Sequence, residues 1–122
     1  LQKNRNHPTL LPEEVLKYEK GFFSGKPTED DSNHHITLAY THSRGKLIII
    51  GCGGVFTALD AYTKIKAGAS LIQLATGLVF EGPLVASAIC ADLPRLLMRD
   101  GYMHYREAIG KEPLFDAVAV TK

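Results

Sequence analysis

Lys46-Leu47-Ile48-Ile49-Ile50-Gly51-Cys52-Gly53-Gly54 and Ala69-Ser70-Leu71-Ile72-Gln73-Leu74-Ala75-Thr76-Gly77 decide how this chain folds. Each is an apolar run without alternation that ends in glycine. A strand with one wet face alternates, whereas a strand covered on both faces, as in a parallel sheet, does not. The reading is two such buried strands, over 46–51 and 69–74. Between them, Thr57 and Asp60 have the spacing of a capping box, Ala58, Ala61, Tyr62 and Ile65 form one apolar helical face, and Gly68 closes the helix. Lys64 and Lys66 read as the wet face of that helix.

Upstream, Ser32 suits an N-cap, and Ile36, Ala39, Tyr40 and Ser43 follow at i, i+3, i+4 and i+7, with Gly45 as the stop. Glu29-Asp30-Asp31 complements the dipole of this helix. Before it, Ser24-Gly25-Lys26-Pro27 reads as an ordered loop. Pro12-Glu13-Glu14 opens a short helix over Pro12–Lys20. Downstream, Leu78–Phe80 is a short apolar turn before Gly82-Pro83. A helix from Pro83 places Val85, Ala88 and Ile89 inward, with a kink or a stop expected at Pro94. Tyr105–Ile109 adds a last turn. The order helix, strand, helix, strand, helix with glycine-rich strand ends is an α/β fold with parallel strands. Two strands make no stable parallel sheet alone, so the chain reads as part of something larger. It opens with Leu1 rather than Met, and the expectation is a processed or excised piece.

Composition excludes several classes. The 122 residues fit one domain, and 45% hydrophobic with 22% charged residues is a globular balance. Lys+Arg 14 against Asp+Glu 13, a net charge of +1, lacks the cation excess of a general nucleic-acid binder. No apolar run approaches the roughly 20 residues of a membrane helix. Cys52 and Cys90 each sit in an apolar run and read as buried, reduced thiols. His34 and His35 are adjacent on a helix and so diverge, and His42 and His104 have no Cys or carboxylate at ligand spacing. No metal site and no nucleophile–base pair emerges.

In barrels of alternating strands and helices, the loops after the last two strands often cradle a phosphate, completed by a short extra helix. Glycine lets backbone N–H groups approach an anion, and a helix start adds partial positive charge. Gly53-Gly54, then Ala75-Thr76-Gly77 and the turn after it, supply this pattern in order. The competing reading is that these glycines only make tight turns.

Ser24-Gly25-Lys26-Pro27, Ile49-Ile50-Gly51-Cys52-Gly53-Gly54-Val55, Asp60-Ala61, Lys64-Ile65, Ala67-Gly68-Ala69-Ser70-Leu71, Gln73-Leu74, Phe80, Gly82-Pro83 and Glu107-Ala108-Ile109-Gly110 resemble the C-terminal part of dihydroorotate dehydrogenase, most closely the quinone-dependent class 2. The resemblance covers roughly Gly21 to Gly110. It implies the last two strand–helix units of a (β/α)8 TIM-type barrel, incomplete without an upstream segment, since such a barrel takes about 250 residues. The division it suggests is a polar, lineage-specific loop with a short helix over 1–21, the FMN-binding barrel part over 22–110, and a tail over 111–122.

The implied activity is oxidation of dihydroorotate to orotate through FMN, with ubiquinone as acceptor, in pyrimidine biosynthesis. Position by position, the resemblance makes Ser24, Gly25, Gly53, Gly54, Ala75 and Thr76 FMN contacts, the last two pairs through backbone amides to the phosphate. Ala75 stands where relatives often carry Tyr. Leu78, Val79 and Pro83 match positions lining a quinone channel, with plain core packing as the alternative. The catalytic base and the substrate-binding residues are expected upstream, as is the membrane-associating part. The implied location is the mitochondrial inner membrane. Alternatives are another FMN- or phosphate-binding barrel oxidoreductase, or a non-catalytic remnant module.

Overall fold

A computed structural model of the chain describes residues 4–18 and 20–112. The elements run α1 (Pro12–Leu16), a 3-10 turn (Lys26–Thr28), α2 (Glu29–Ser43), β1 (Ile50–Cys52), α3 (Ala58–Ala67), β2 (Leu71–Gln73), α4 (Thr76–Glu81), α5 (Val85–Arg99) and α6 (Tyr105–Ala108). β1 and β2 are parallel, with Ile50 opposite Leu71, Gly51 opposite Ile72 and Cys52 opposite Gln73.

The capping box read from the sequence forms as expected. Asp60 N–H donates to Thr57 Oγ1 at 3.2 Å, and Asp60 Oδ2 accepts from the N–H groups of Thr57 at 2.9 Å and Phe56 at 3.0 Å. Starting there, α3 buries its apolar stripe against α5 and α6: Ala58 and Ala61 meet Val85 and Ile89 of α5, while Tyr62 and Ile65 meet Leu97 of α5 and Ala108 of α6. Ile36 of α2 meets Ala67 and Ala69. Ile72, the centre of β2, packs against all three groups.

The strands are shorter and barer than their sequence suggests. Each pairs over three residues, and Leu47, Ile48, Ile50 and Leu71 remain 59%, 80%, 57% and 53% exposed. An apolar strand in a parallel sheet is covered by a neighbour on each edge and helices on both faces. Among the described residues, each strand has one neighbour.

Local competition explains the other departures. α1 stops at Leu16 rather than Lys20, and Arg5 donates to the Val15 carbonyl at 2.6 Å and also to the Tyr18 carbonyl just beyond its end. α2 starts three residues before Ser32, because the 3-10 turn, with Thr28 Oγ1 donating to the Gly25 carbonyl at 2.7 Å, bends the chain earlier. Glu29, Asp30 and Asp31 do occupy its first turn. Residues 76–81 form a helix where an apolar turn was expected. α5 runs through Pro94 without stopping; Cys90, whose carbonyl loses its N–H partner there, lies on the solvent side, where water can serve it.

Ala88 is exposed, unlike Val85 and Ile89, and so are both cysteines. Cys90 lies one position past Ile89 and so about 100° around the helix from the core. Lys64 is not on a wet face: it is fully buried. Of the expected tail, Glu112 packs back onto α3, its N–H donating to the Lys66 carbonyl at 3.2 Å and its carboxylate pairing with Lys66 Nζ at 2.6 Å. Residues 113–122 lie outside those described.

Asp60 carries a pH-dependent share of the stability. Burial opposes its charge, but Lys26 and the N–H groups of Phe56 and Thr57 outweigh that and hold its carboxyl below the usual value. The folded pKa is the lower one. Its contribution is therefore complete above the unfolded pKa, about 3.9, and is lost as pH falls through the folded value. Denaturant unfolding at pH 7 should find Asp60→Ala less stable by about 1–3 kcal/mol, with the gap closing below about pH 4.

Candidate functional site

Three loops meet at the carboxyl ends of the two strands. Ser24-Gly25 precedes the 3-10 turn, Gly53-Gly54-Val55 follows β1, and Ala75-Thr76-Gly77 follows β2. Together they line a cleft of about 480 Å³, within the usual range for a small-molecule site. All six residues expected at the cofactor, Ser24, Gly25, Gly53, Gly54, Ala75 and Thr76, lie on its wall.

Side chains lock the loops together. Thr76 Oγ1 donates to Ser24 Oγ at 2.8 Å, joining the third loop to the first. Lys26 Nζ reaches Asp60 Oδ1 and Glu29 Oε2, both at 2.7 Å, joining the first loop to the start of α3. Burial opposes the Lys26 charge, and these two carboxylates more than restore it, so its pKa is raised. Ser32, not a cap, donates its hydroxyl to the Cys52 carbonyl and so pins α2 to the end of β1.

The glycines do more than turn the chain. Gly54 has φ +73°, and a Cβ there would stand 2.5 Å from Glu29 Cβ. At Gly77 an added Cβ would stand 2.1 Å from the Val55 carbonyl oxygen. The second and third loops are therefore in backbone contact, which only a residue without Cβ allows. At the start of α4 the leading N–H groups have no partner within the helix. The cleft is a concave space lined by glycine backbone from two loops. That is the chemistry of a phosphate cradle and it fits a phosphate-bearing cofactor.

Other residues of the wall escaped the sequence reading: Thr28, Asp31, Ser32, His35 and Gln73. Asp31 and His35 are one turn apart on α2, and that spacing was the available signal. His35 Nδ1 lies 2.6 Å from the Asp31 carbonyl oxygen. Cys52, expected in the core, lines the cleft instead, because β1 ends there and its side chain leaves the sheet. Leu78, Val79 and Pro83 are outside the cleft wall. Among the described residues Leu78 and Val79 are 44% and 80% exposed on α4. No group of three or more His, Cys, Asp or Glu poised to hold a metal exists among the described residues, nor any helix long and apolar enough to cross a membrane.

Fold and cleft together define an α/β chain with a glycine-lined cleft at the carboxyl ends of parallel strands. The dihydroorotate dehydrogenase family profile matches residues 4–97, and the chain belongs to that family. It is 47% identical over 100 residues to dihydroorotate dehydrogenase (quinone) of Myxococcus xanthus, covering 82% of this chain and 28% of that protein. It is 41% identical over 107 residues to the mitochondrial dihydroorotate dehydrogenase (quinone) of Arabidopsis thaliana, covering 88% and 23%. Among solved structures, ligand-free DHODH from Eimeria tenella superposes with TM-score 0.80 at 33% identity, over 89% of this chain and 30% of that one. The chain thus spans roughly a quarter to a third of the length of these relatives.

Gly54→Ala should destabilise the protein by about 2 kcal/mol or more, since it combines left-handed backbone with a clash. Gly82→Ala is the control. Gly82 also has positive φ, +81°, but open space around it, and it should lose only the backbone part. Thermal unfolding of the two variants side by side measures the difference.

Proposed function

We propose that this chain is the FMN-phosphate-holding C-terminal part of a quinone-dependent dihydroorotate dehydrogenase. In this reading the two strands are the last two of a (β/α)8 barrel, and the exposed Leu47, Ile48, Ile50 and Leu71 are faces that the rest of the barrel covers. The observation that carries it is the convergence of three separated loops on one glycine-lined cleft, tied by the Thr76–Ser24 and Lys26–Asp60 contacts. Tight turns alone would not need to converge.

When bound, FMN supplies the two-electron acceptor that dihydroorotate oxidation requires and passes the electrons on to ubiquinone. The residues of this chain bind and orient. Backbone N–H groups at Gly53-Gly54 and Ala75-Thr76 hold the phosphate, and being backbone they serve equally well with Ala at 75. Ser24 and Gly25 close the cleft from the third side. Leu78, Val79 and Pro83 give an apolar, exposed surface suited to a quinone. Proton abstraction from dihydroorotate, substrate binding and membrane association belong to parts of the enzyme outside this chain. A mitochondrial inner-membrane location accords with the Arabidopsis and rice relatives, whose names carry "mitochondrial".

The complete enzyme should purify yellow, with a flavin absorption band, and should reduce a ubiquinone analogue with dihydroorotate. Thr76→Val, which removes the hydroxyl bond to Ser24, should keep the fold and lose flavin about tenfold more readily. A colourless protein, or one whose flavin is untouched by changes at residues 54 and 76, would contradict this reading.

A further inference from the structure

The most deeply buried cation of the described chain lies directly behind the cleft. Lys64 is 0% exposed, on α3. Its aliphatic stem runs beneath β1, where an added Cβ on Gly51 would stand 3.3 Å from Lys64 Cδ. Nζ donates to Asn33 Oδ1 at 2.7 Å and to Ser32 Oγ at 3.1 Å, both neutral. The nearby carboxylates of Glu29 and Asp60 are each bonded to Lys26 instead. Burying an ammonium is costly unless an anion offsets it. Burial pulls the Lys64 pKa below the ordinary lysine value.

Ser32 is the link outward. Its oxygen accepts from Lys64, so its single proton goes the other way, to the Cys52 carbonyl that leads into Gly53-Gly54. Both Ser32 and Cys52 lie on the cleft wall. An ammonium has donors only, and a hydroxyl so engaged has one direction left for its proton.

We propose that Lys64 is a positioning residue for the anion cradle: acting through Ser32, it fixes the Cys52–Gly54 turn in its phosphate-accepting form and places a buried positive charge behind it. The bound phosphate is then the anion that offsets Lys64. This rests on the phosphate reading given above. It predicts that Lys64 matters to the phosphate and not to the flavin ring.

The test uses the complete enzyme stripped of flavin, titrated with FMN and with riboflavin, which lacks the phosphate, and followed by flavin fluorescence. The wild type should prefer FMN. Lys64→Met should weaken FMN about tenfold or more and leave riboflavin within about twofold. Ser32→Ala keeps the ammonium but cuts the link, and should lower FMN affinity alone by about threefold. It decides the matter if Lys64→Met does not fold. An unchanged FMN-to-riboflavin ratio in the variants, whether both affinities hold or both fall together, makes Lys64 a packing residue and overturns the proposal. A wild type without preference for FMN overturns the phosphate reading itself, and this inference with it.

Discussion

The carboxylate of Asp60 is the constraint on which the rest of the structure depends. One oxygen holds the N–H groups of Phe56 and Thr57 and so starts α3; the other holds Lys26 and so brings in the loop that carries Ser24 and Gly25. Without the first, the helix between the strands would begin with unpaired donors. Without the second, one wall of the cleft would have no charged tie to the other two. Since Asp60 is almost fully buried, and its partners include both a charge and backbone groups, its loss would be felt as misplacement as well as instability.

From that anchor the site follows in order. α3 packs on α5 and α2, which fixes β1 and β2 side by side, and Ile72 touches every part of the core. The loops after the strands then leave from the same end of the sheet, which is where α/β folds hold their ligands. Gly77 against the Val55 carbonyl brings them into backbone contact, and Ser24 closes the remaining side through Thr76. Helices and strands supply rigidity, and the loops they position supply the donors.

Much of this was legible in the sequence because the signals were local. Thr57 and Asp60 announce a cap by spacing alone, and Gly53-Gly54 and Ala75-Thr76-Gly77 announce tight strand ends by composition. What stayed hidden depends on residues far apart in the chain. Lys64 looks like a surface lysine, since its partners Ser32 and Asn33 lie 32 and 31 positions away. Lys26 finds Asp60 across 34 positions. Ser32 has the residue type of a cap but serves β1, because the 3-10 turn that displaces it forms from Lys26-Pro27-Thr28. The apolar run Leu47–Ile50 signals cover on both faces, and two strands alone signal that the cover comes from elsewhere in the fold; which faces stay bare in this chain is a matter of packing that composition does not carry.

A structure of the flavin-loaded complete enzyme decides the matter, because it places the phosphate. Phosphate oxygens should lie within hydrogen-bonding distance of the Gly54 and Thr76 N–H groups, with Ser32 still bonded to the Cys52 carbonyl. A phosphate held elsewhere, with another part of the flavin or nothing at all between the two glycine loops, would contradict it.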